Sequence, residues 1–156
     1  MKYLKIQWDL LKAADARDCK GKRFDFPWFE TDDKIFVCSQ GHYFIAIPKC
    51  MFYLDKERVF DRKPYQNGEK FLDVDNLSLA YNTHTLIEGE VRGKKTKFHK
   101  FAIGEESVYL DENNLKYFDL EDSTYKGMDK KTPIYIFELG ELVGIVLPIV
   151  NVKEER

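Results

Sequence analysis

The chain has 156 residues with 25 basic and 27 acidic side chains, so its formal net charge is −2. This length fits one domain or two very small ones, and the near-neutral charge gives no global attraction to nucleic acid. Aromatic residues make up 15% of the chain, which excludes an intrinsically disordered protein. No stretch approaches the roughly 20 apolar residues of a membrane span, and residues 1–20 have no signal-peptide core. The cysteines Cys19, Cys38 and Cys50 lack paired spacing, so we expect a cytoplasmic protein without membrane association.

The first part of the chain contains one helix signal among several strand signals. Tyr3–Gln7 is compatible with a strand, and Trp8–Asp18 is rich in Leu and Ala, which favour a helix. Arg23–Glu30, Lys34–Ser39 and Tyr43–Ile47 have the composition or the period of two expected of strands. The predicted order of elements is therefore β-α-β-β-β.

An aromatic cluster lies within the first of these three later strands. Phe24, Phe26 and Trp28 share one face at a period of two, whereas Phe29 points to the other side. Two interpretations follow: either both faces of the strand are buried in a core, or part of the cluster forms an apolar patch for a partner or a second copy of the chain.

The middle of the chain is less regular. Asp61–Gly68 contains Pro and an Asn-Gly pair and is predicted to be a loop. Leu72–Ala80 and Thr85–Val91 are candidate strands. Arg92–Lys95, with Gly93, is predicted to be the tip of a hairpin that leads into Thr96–Ile103.

The last part of the chain repeats the order of the first. Val108–Leu120 is a second helix candidate because several apolar residues can share one face. Ser123–Gly127, Pro133–Leu139 and Leu142–Ile149 are predicted strands, and Gly140-Glu141 is a candidate two-residue turn.

These elements predict an α+β protein of mainly antiparallel sheets with two helices. We expect one domain made of two β-α-β-β-β units. The first unit spans about 1–48, a variable middle spans about 49–96, and the second unit spans about 97–152.

This order of elements resembles that of the DNA polymerase sliding clamps, and residues at both ends carry the resemblance. Residues 1–12 are similar to the start of a bacterial clamp chain, a short strand that leads into a Leu-Leu helix. Residues 34–43 resemble a clamp strand and its turn; Gly41 and His42 match the clamp turn, whereas Gln40 and Tyr43 depart from it.

The end of the chain resembles the last domain of a clamp. Val108–Leu110 with Leu115-Lys116 is similar to its helix, and residues 132–136 and 142–149 are similar to its closing strands. The resemblance covers residues 1–48 and 97–150. It implies one DNA-clamp-like domain that acts as a non-enzymatic binding module in DNA replication or repair.

The resemblance also implies partners. Edge strands would pair with another copy of the chain, or an apolar groove would accept a peptide of a protein partner. One domain is too short to encircle DNA, and the predicted second helix carries Asp111 and Glu112 with Lys116 alone, which disfavours contact with phosphates. Binding of DNA therefore stays one possibility among these partners.

The densest basic run extends from Arg92 to Lys100 and contains five cations with Phe98 between them. Such a run can bind phosphates and stack a base. The alternative is a solvated hairpin whose lysines protect a strand edge, paired across to Glu88 and Glu90. If nucleic acid is bound, the candidate residues are Lys12, Arg17, Lys20, Lys22, Arg23, Arg92, Lys94, Lys95 and Lys97.

Two sets of residues have the chemistry of metal ligands. Cys38, His42 and Cys50 are zinc-type ligands, but no fourth ligand lies near, so buried thiols are the favoured interpretation. Asp73 and Asp75 would share one face of a strand and could hold a divalent cation, whereas a turn stabilised by side-chain hydrogen bonds is the simpler reading.

No motif for nucleophilic catalysis or for phosphate binding by a glycine-rich loop is present in the sequence. We therefore expect a non-enzymatic protein with no catalytic residue, no metal and no cofactor. Two alternatives stay open: a metal-dependent enzyme with a carboxylate site at Asp73 and Asp75, or a structural or inhibitory interaction protein that does not bind DNA.

Overall fold

The computed structural model describes residues 1–20, 26–39, 42–150 and 152–154. The chain divides into two compact units, Met1–Val74 and Asp75–Arg156. The boundary falls inside the segment that the sequence presents as a variable middle.

Unit 1 contains two helices and three strands. The strands form an antiparallel meander in the order β1-β2-β3, with Phe29 opposite Phe36 and Val37 opposite Ile45. The elements in chain order are α1 (Tyr3–Lys20), β1 (Trp28–Glu30), β2 (Lys34–Ser39), β3 (Tyr43–Pro48), a 3-10 turn (Lys49–Met51), α2 (Lys56–Val59) and a second 3-10 turn (Gly68–Phe71).

Helix α1 begins earlier than the sequence predicts, and the predicted strand at Tyr3–Gln7 is wrong. Ile6, Leu10 and Ala14 recur every fourth residue and are buried, so Ile6 belongs to a helical stripe. The buried amide of Gln7 donates to the carbonyl oxygen of Met51 at 2.8 Å and accepts from the backbone N–H of Tyr53 at 2.7 Å. These long-range contacts favour the helix over the local preference for a strand.

Unit 2 is an antiparallel sheet in the order β9-β8-β7-β4-β5-β6, and β10 pairs with β4. Its buried side chains include Phe98, Phe101, Leu110, Ile134 and Ile136. The strands are β4 (Ser78–Val91), β5 (Lys94–Ile103), β6 (Glu106–Asp111), β7 (Ser123–Gly127), β8 (Ile134–Glu138), β9 (Glu141–Val146) and β10 (Lys153–Glu154).

The predicted helix at Val108–Leu120 is wrong. Val108 and Leu110 are buried at a period of two in β6, where they lie opposite Phe101 and His99 of β5. A 3-10 turn at Glu112–Leu115 follows the strand, and the second α-helix of the described residues is α2 in unit 1. The pairing with β5 therefore selects the period-two pattern over the helical one.

Two of the hairpin turns of unit 2 form near the positions that their glycines predict. The predicted hairpin forms, but its tip is narrower than the predicted Arg92–Lys95: the turn is Arg92-Gly93, with positive φ of 49° and 78°, and Lys94 and Lys95 belong to β5. The turn between β8 and β9 is Leu139-Gly140, one residue earlier than predicted, with φ of 50° and 79°.

The candidate strand Thr85–Val91 is part of a longer strand, β4, with an irregularity between Asn82 and Thr85. The candidate strand Leu72–Ala80 is wrong over residues 72–77, which lie outside any strand, and only Ser78–Ala80 belongs to β4.

The fold class is α+β, with mainly antiparallel strands and two α-helices among the described residues, as the sequence predicts. In that part of the chain, no helix is both long and apolar enough to cross a membrane.

Candidate functional site

A cleft of about 810 Å³ opens in unit 1 between β1 and the segment that follows α2. This volume lies within the range of small-molecule sites, roughly 300–1,000 Å³. Aromatic, basic and proline residues supply most of its wall. The lining residues are Pro27, Trp28, Arg62, Lys63, Pro64, Tyr65, Gln66, Asn67, Lys70 and Phe71.

Trp28 of β1 holds one end of this segment. Its ring stacks on Phe60, with centroids 4.6 Å apart and planes inclined by 10°. Its indole Nε1 donates to the carbonyl oxygen of Arg62 at 2.8 Å, and its own carbonyl accepts from the backbone N–H of Tyr65 at 2.8 Å. The segment from 62 to 65 is therefore tied to β1 through both the side chain and the backbone of one residue.

Gly68 holds the other end of the segment against the aromatic core. A Cβ atom at this position would lie 2.2 Å from Cγ of Phe29, so only glycine allows this approach. The ring of Phe71 then packs with its centroid 6.2 Å from Phe29 and 5.1 Å from Phe44. Phe71 is 40% exposed and lines the cleft.

Helix α2, which leads into the cleft segment, is fixed by α1. The guanidinium of Arg17 donates to the carbonyl oxygens of Arg58 at 2.9 Å and Val59 at 3.3 Å. Arg58 in turn donates to Asp15 at 2.6 Å. Asp55 caps the start of α2 by accepting from the backbone N–H of Glu57.

Glu30, at the end of β1, is matched by two lysines. Lys56 lies 3.0 Å and Lys49 3.4 Å from its carboxylate. The hydrogen bond from Lys56 lowers the pKa of Glu30, against the opposing effect of partial burial. This carboxylate is therefore neutralised outside the cleft.

The charge that lines the cleft has one sign. Arg62, Lys63 and Lys70 are exposed at its wall, and none of the described lining residues is acidic. Tyr65 is 49% exposed between them. The cleft thus combines cations, which attract anionic groups, with an exposed ring on which a planar group can stack.

The basic hairpin of unit 2 has a different electrostatic environment. Its tip residue Arg92 is exposed, as are Lys94, Lys95 and Lys97. In the register of β4 and β5, Glu88 lies opposite Lys97 and Glu90 lies opposite Lys95. Acidic and basic side chains at directly opposed positions attract each other, in line with the interpretation of a solvated hairpin.

The remaining candidate nucleic-acid residues belong to unit 1. Lys12 is exposed, with its Nζ 5.5 Å from the centroid of the Trp8 ring, and Arg17 contacts α2. Lys20 is the last residue of α1. Lys22 and Arg23 lie outside the described residues.

The candidate metal ligands do not form a cluster. Within residues 1–20, 26–39, 42–150 and 152–154, no group of three or more His, Cys, Asp or Glu side chains is arranged to hold a metal ion. Cys38 is buried and Cys50 is exposed. Asp73 lines a second cleft with Thr31, Glu69 and Lys70, and Asp75 is exposed. Neither aspartate lies in a strand, so the predicted shared strand face is wrong.

The sequence pattern predicts a loop at Asp61–Gly68 and does not identify the cleft residues within it. The available signal is the close spacing of basic and aromatic residues in Arg62-Lys63-Pro64-Tyr65 and Lys70-Phe71. Of the aromatic cluster, Trp28 and Phe29 are both buried, and Trp28 also lines the cleft. Phe24 lies outside the described residues.

Comparison of the chain with family models found no match, and comparisons with curated proteins and with solved structures found none either. The resemblance to sliding clamps therefore remains a prediction.

Proposed function

We propose that the protein is a non-enzymatic binding module and that the cleft of unit 1 binds nucleic acid. The context is the one that the sliding-clamp resemblance implies, DNA replication or repair in the cytoplasm. The thiols of Cys38 and Cys50, which are not joined in a disulfide, are compatible with that compartment.

One observation carries the proposal: three cations line one cleft that has no acidic lining residue. Arg62, Lys63 and Lys70 meet at this wall together with exposed aromatic surface. Cations held in one place bind phosphates by releasing counterions, and this affinity falls with added salt. The near-neutral net charge does not oppose such binding, because the charge that matters is local.

The experiment is a fluorescence anisotropy titration of a labelled DNA oligonucleotide at about 50 mM salt. The variant R62E/K63E/K70E reverses the cleft charge. Its matched control, K94E/K95E/K97E, makes the same change of net charge at the hairpin tip. We expect the cleft variant to lose affinity by about a hundredfold or more, and the control to stay within about threefold of the unmodified protein.

The outcome separates the proposal from its main alternative. If the hairpin variant loses affinity and the cleft variant does not, the binding surface is the hairpin and the proposal is wrong. If neither single-stranded nor double-stranded DNA binds at low salt, the alternative of an interaction protein without DNA binding replaces it. The apolar part of the cleft wall, Pro27, Trp28 and Pro64, would then suit a peptide with acidic side chains.

Self-association through edge strands is part of the same proposal. Besides β5, strand β4 pairs with β7 at Ser78–Ala80 and with β10 at Gly89 and Glu90, so among the described residues the stretch 81–88 of β4 has one edge without a partner strand. Light scattering at several protein concentrations tests this point. A mass that rises with concentration supports pairing between copies, and a constant monomer mass refutes it.

A further inference from the structure

We infer that the cleft selects single-stranded over double-stranded nucleic acid, with one base stacked on Tyr65 and its phosphates held by Arg62, Lys63 and Lys70. This inference rests on the proposed function and adds the form of the ligand and the residue that recognises it.

Tyr65 is the ring best placed to receive a base. Trp28 is only 7% exposed and one of its faces is covered by Phe60. Phe71 packs against Phe29 and Phe44. Tyr65 is 49% exposed, and among the described residues no ring stacks on it. Tyr65 is therefore the most exposed of the three rings that line the cleft, whereas Phe71 is 40% exposed and already packs against two rings.

The backbone of Tyr65 is also anchored before any ligand binds. Its backbone N–H donates to the carbonyl oxygen of Trp28 at 2.8 Å, and Pro64 precedes it. A ring held by an anchored backbone loses little freedom on binding, so more of the stacking energy appears as affinity. Stacking on an aromatic side chain requires a base that has left its helical stack, as in a single strand.

A duplex offers no such base to this cleft. Its bases remain stacked inside the helix, and it presents only phosphates and groove edges to a protein surface. A duplex would therefore gain the contacts to the three cations but not the contact to Tyr65. The expected preference for a single strand equals the free energy of stacking one base, which corresponds to roughly a tenfold difference in affinity.

The three cations favour a polymer over a free nucleotide. A single nucleotide brings one phosphate group, whereas a strand that crosses the cleft brings a phosphate at every residue. Arg62 and Lys63 precede Tyr65 and Lys70 follows it along the same lining segment, so phosphates on either side of a stacked base can meet a cation.

The test compares two labelled ligands of equal length, an oligothymidylate of about 12 nucleotides and a duplex of about 12 base pairs, within the range of known site sizes. The variants are Y65A, the conservative Y65F, and the control Y53A. Tyr53 is a 68% exposed tyrosine of the same unit that does not line the cleft. Circular dichroism and thermal unfolding establish that each variant is folded.

We expect the unmodified protein to prefer the single strand by roughly tenfold. Y65A should lower the affinity for the single strand by about the same factor and leave the affinity for the duplex unchanged. Y65F and Y53A should behave like the unmodified protein, because the first keeps the ring and the second changes a ring outside the cleft. Thymidine monophosphate should compete only at concentrations far above those of the oligonucleotide.

Three results would overturn the inference. The first is that the protein binds both ligands with equal affinity and Y65A does not change binding, while R62E/K63E/K70E still weakens it. This result contradicts the inference and leaves the proposed function in place. Competition by the mononucleotide at oligonucleotide concentrations identifies a nucleotide pocket instead. If neither ligand binds, the inference and the proposed function fail together.

Discussion

The cleft of unit 1 and the β4–β5 hairpin of unit 2 are both basic and aromatic, but they differ in what surrounds their cations. The hairpin has the denser run in the sequence, from Arg92 to Lys100, yet Lys95 and Lys97 lie opposite glutamates in the strand register. The cleft gathers Arg62, Lys63 and Lys70 at a wall with no acidic member. Lys70 also borders the second cleft, which contains Glu69 and Asp73.

The difference shows that charge density along a chain is a poor guide to charge density in space. A strand places neighbouring cations beside whatever its partner strand carries, and here the partner carries acids. A loop tied down at Trp28 and Gly68 instead brings cations from separate positions to one concave surface. Concave surfaces also focus the local potential, so the same number of charges acts more strongly there.

Removing the anchor of the cleft should have the largest effect on stability. W28A deletes a buried ring, its stacking on Phe60 and its hydrogen bond to the carbonyl of Arg62. We expect a loss of about 3–5 kcal/mol in the free energy of unfolding, measured by urea denaturation. The comparison is L86A, which truncates a 46% exposed leucine of β4 and should cost less than about 1 kcal/mol. Similar losses in both variants would show that Trp28 does not anchor the segment.

Gly68 in the cleft segment and Gly93 in the hairpin turn should be required for different physical reasons. G68A forces a Cβ atom to within 2.2 Å of the Phe29 ring, and such overpacking costs about 1–3 kcal/mol. G93A meets nothing within 4 Å, so its cost of about 1 kcal/mol comes only from the positive φ of the turn. In the binding titration, G68A should weaken affinity because the cleft wall shifts, whereas G93A should leave it unchanged. Unchanged binding by G68A would mean that the wall does not depend on this contact.

The smallest effects should appear in the pH dependence of stability, with opposite signs in the two units. The pKa of Glu30 is lowered by the hydrogen bond from Lys56. The stability that its carboxylate contributes is therefore fully present above the unfolded-state pKa and is lost as the pH falls through the lowered folded-state pKa. The pKa of Asp122 is raised by a hydrogen bond with Asp119 and by the charge of the same residue. Its ionised form therefore destabilises the fold at neutral pH, and protonation relieves this as the pH falls.

Thermal unfolding of two isosteric variants checks these signs. At pH 7, E30Q should lower the melting temperature slightly and D122N should raise it slightly. At a pH low enough to protonate both carboxyl groups, both differences should shrink. A rise for E30Q or a fall for D122N at pH 7 would contradict the assigned causes.

The sequence predicts local structure well where one pattern dominates and no distant contact competes. Strand β2 and the turn at Arg92-Gly93 appear where the sequence places them, because a run of β-branched and aromatic residues and a glycine in a turn are local signals. Tyr3–Gln7 was misread because the deciding contact, from Gln7 to Met51 and Tyr53, spans more than forty residues. The helix predicted from Val108 is wrong because three residues, Val108–Leu110, fit both the helical period and the strand period of two. The pairing with β5 decides in favour of the strand.

The candidate site lay beyond prediction for the same physical reason. Arg62 and Lys63 look like solvated loop residues until the indole of Trp28, more than thirty positions earlier, binds the carbonyl of Arg62. Conversely, Arg17 looks like a phosphate contact until it donates to the carbonyls at the end of α2. In both cases a long-range contact determines whether a cation supports the fold or lines an open surface.

The salt dependence of single-strand binding tests the central claim most directly. If Arg62, Lys63 and Lys70 are the cations that neutralise phosphates, the logarithm of the association constant should fall with the logarithm of salt concentration with a slope of about −2. R62Q/K63Q/K70Q should bring the slope close to zero, and K94Q/K95Q/K97Q should leave it unchanged. A slope that is unchanged in the cleft variant and lost in the hairpin variant would contradict the account.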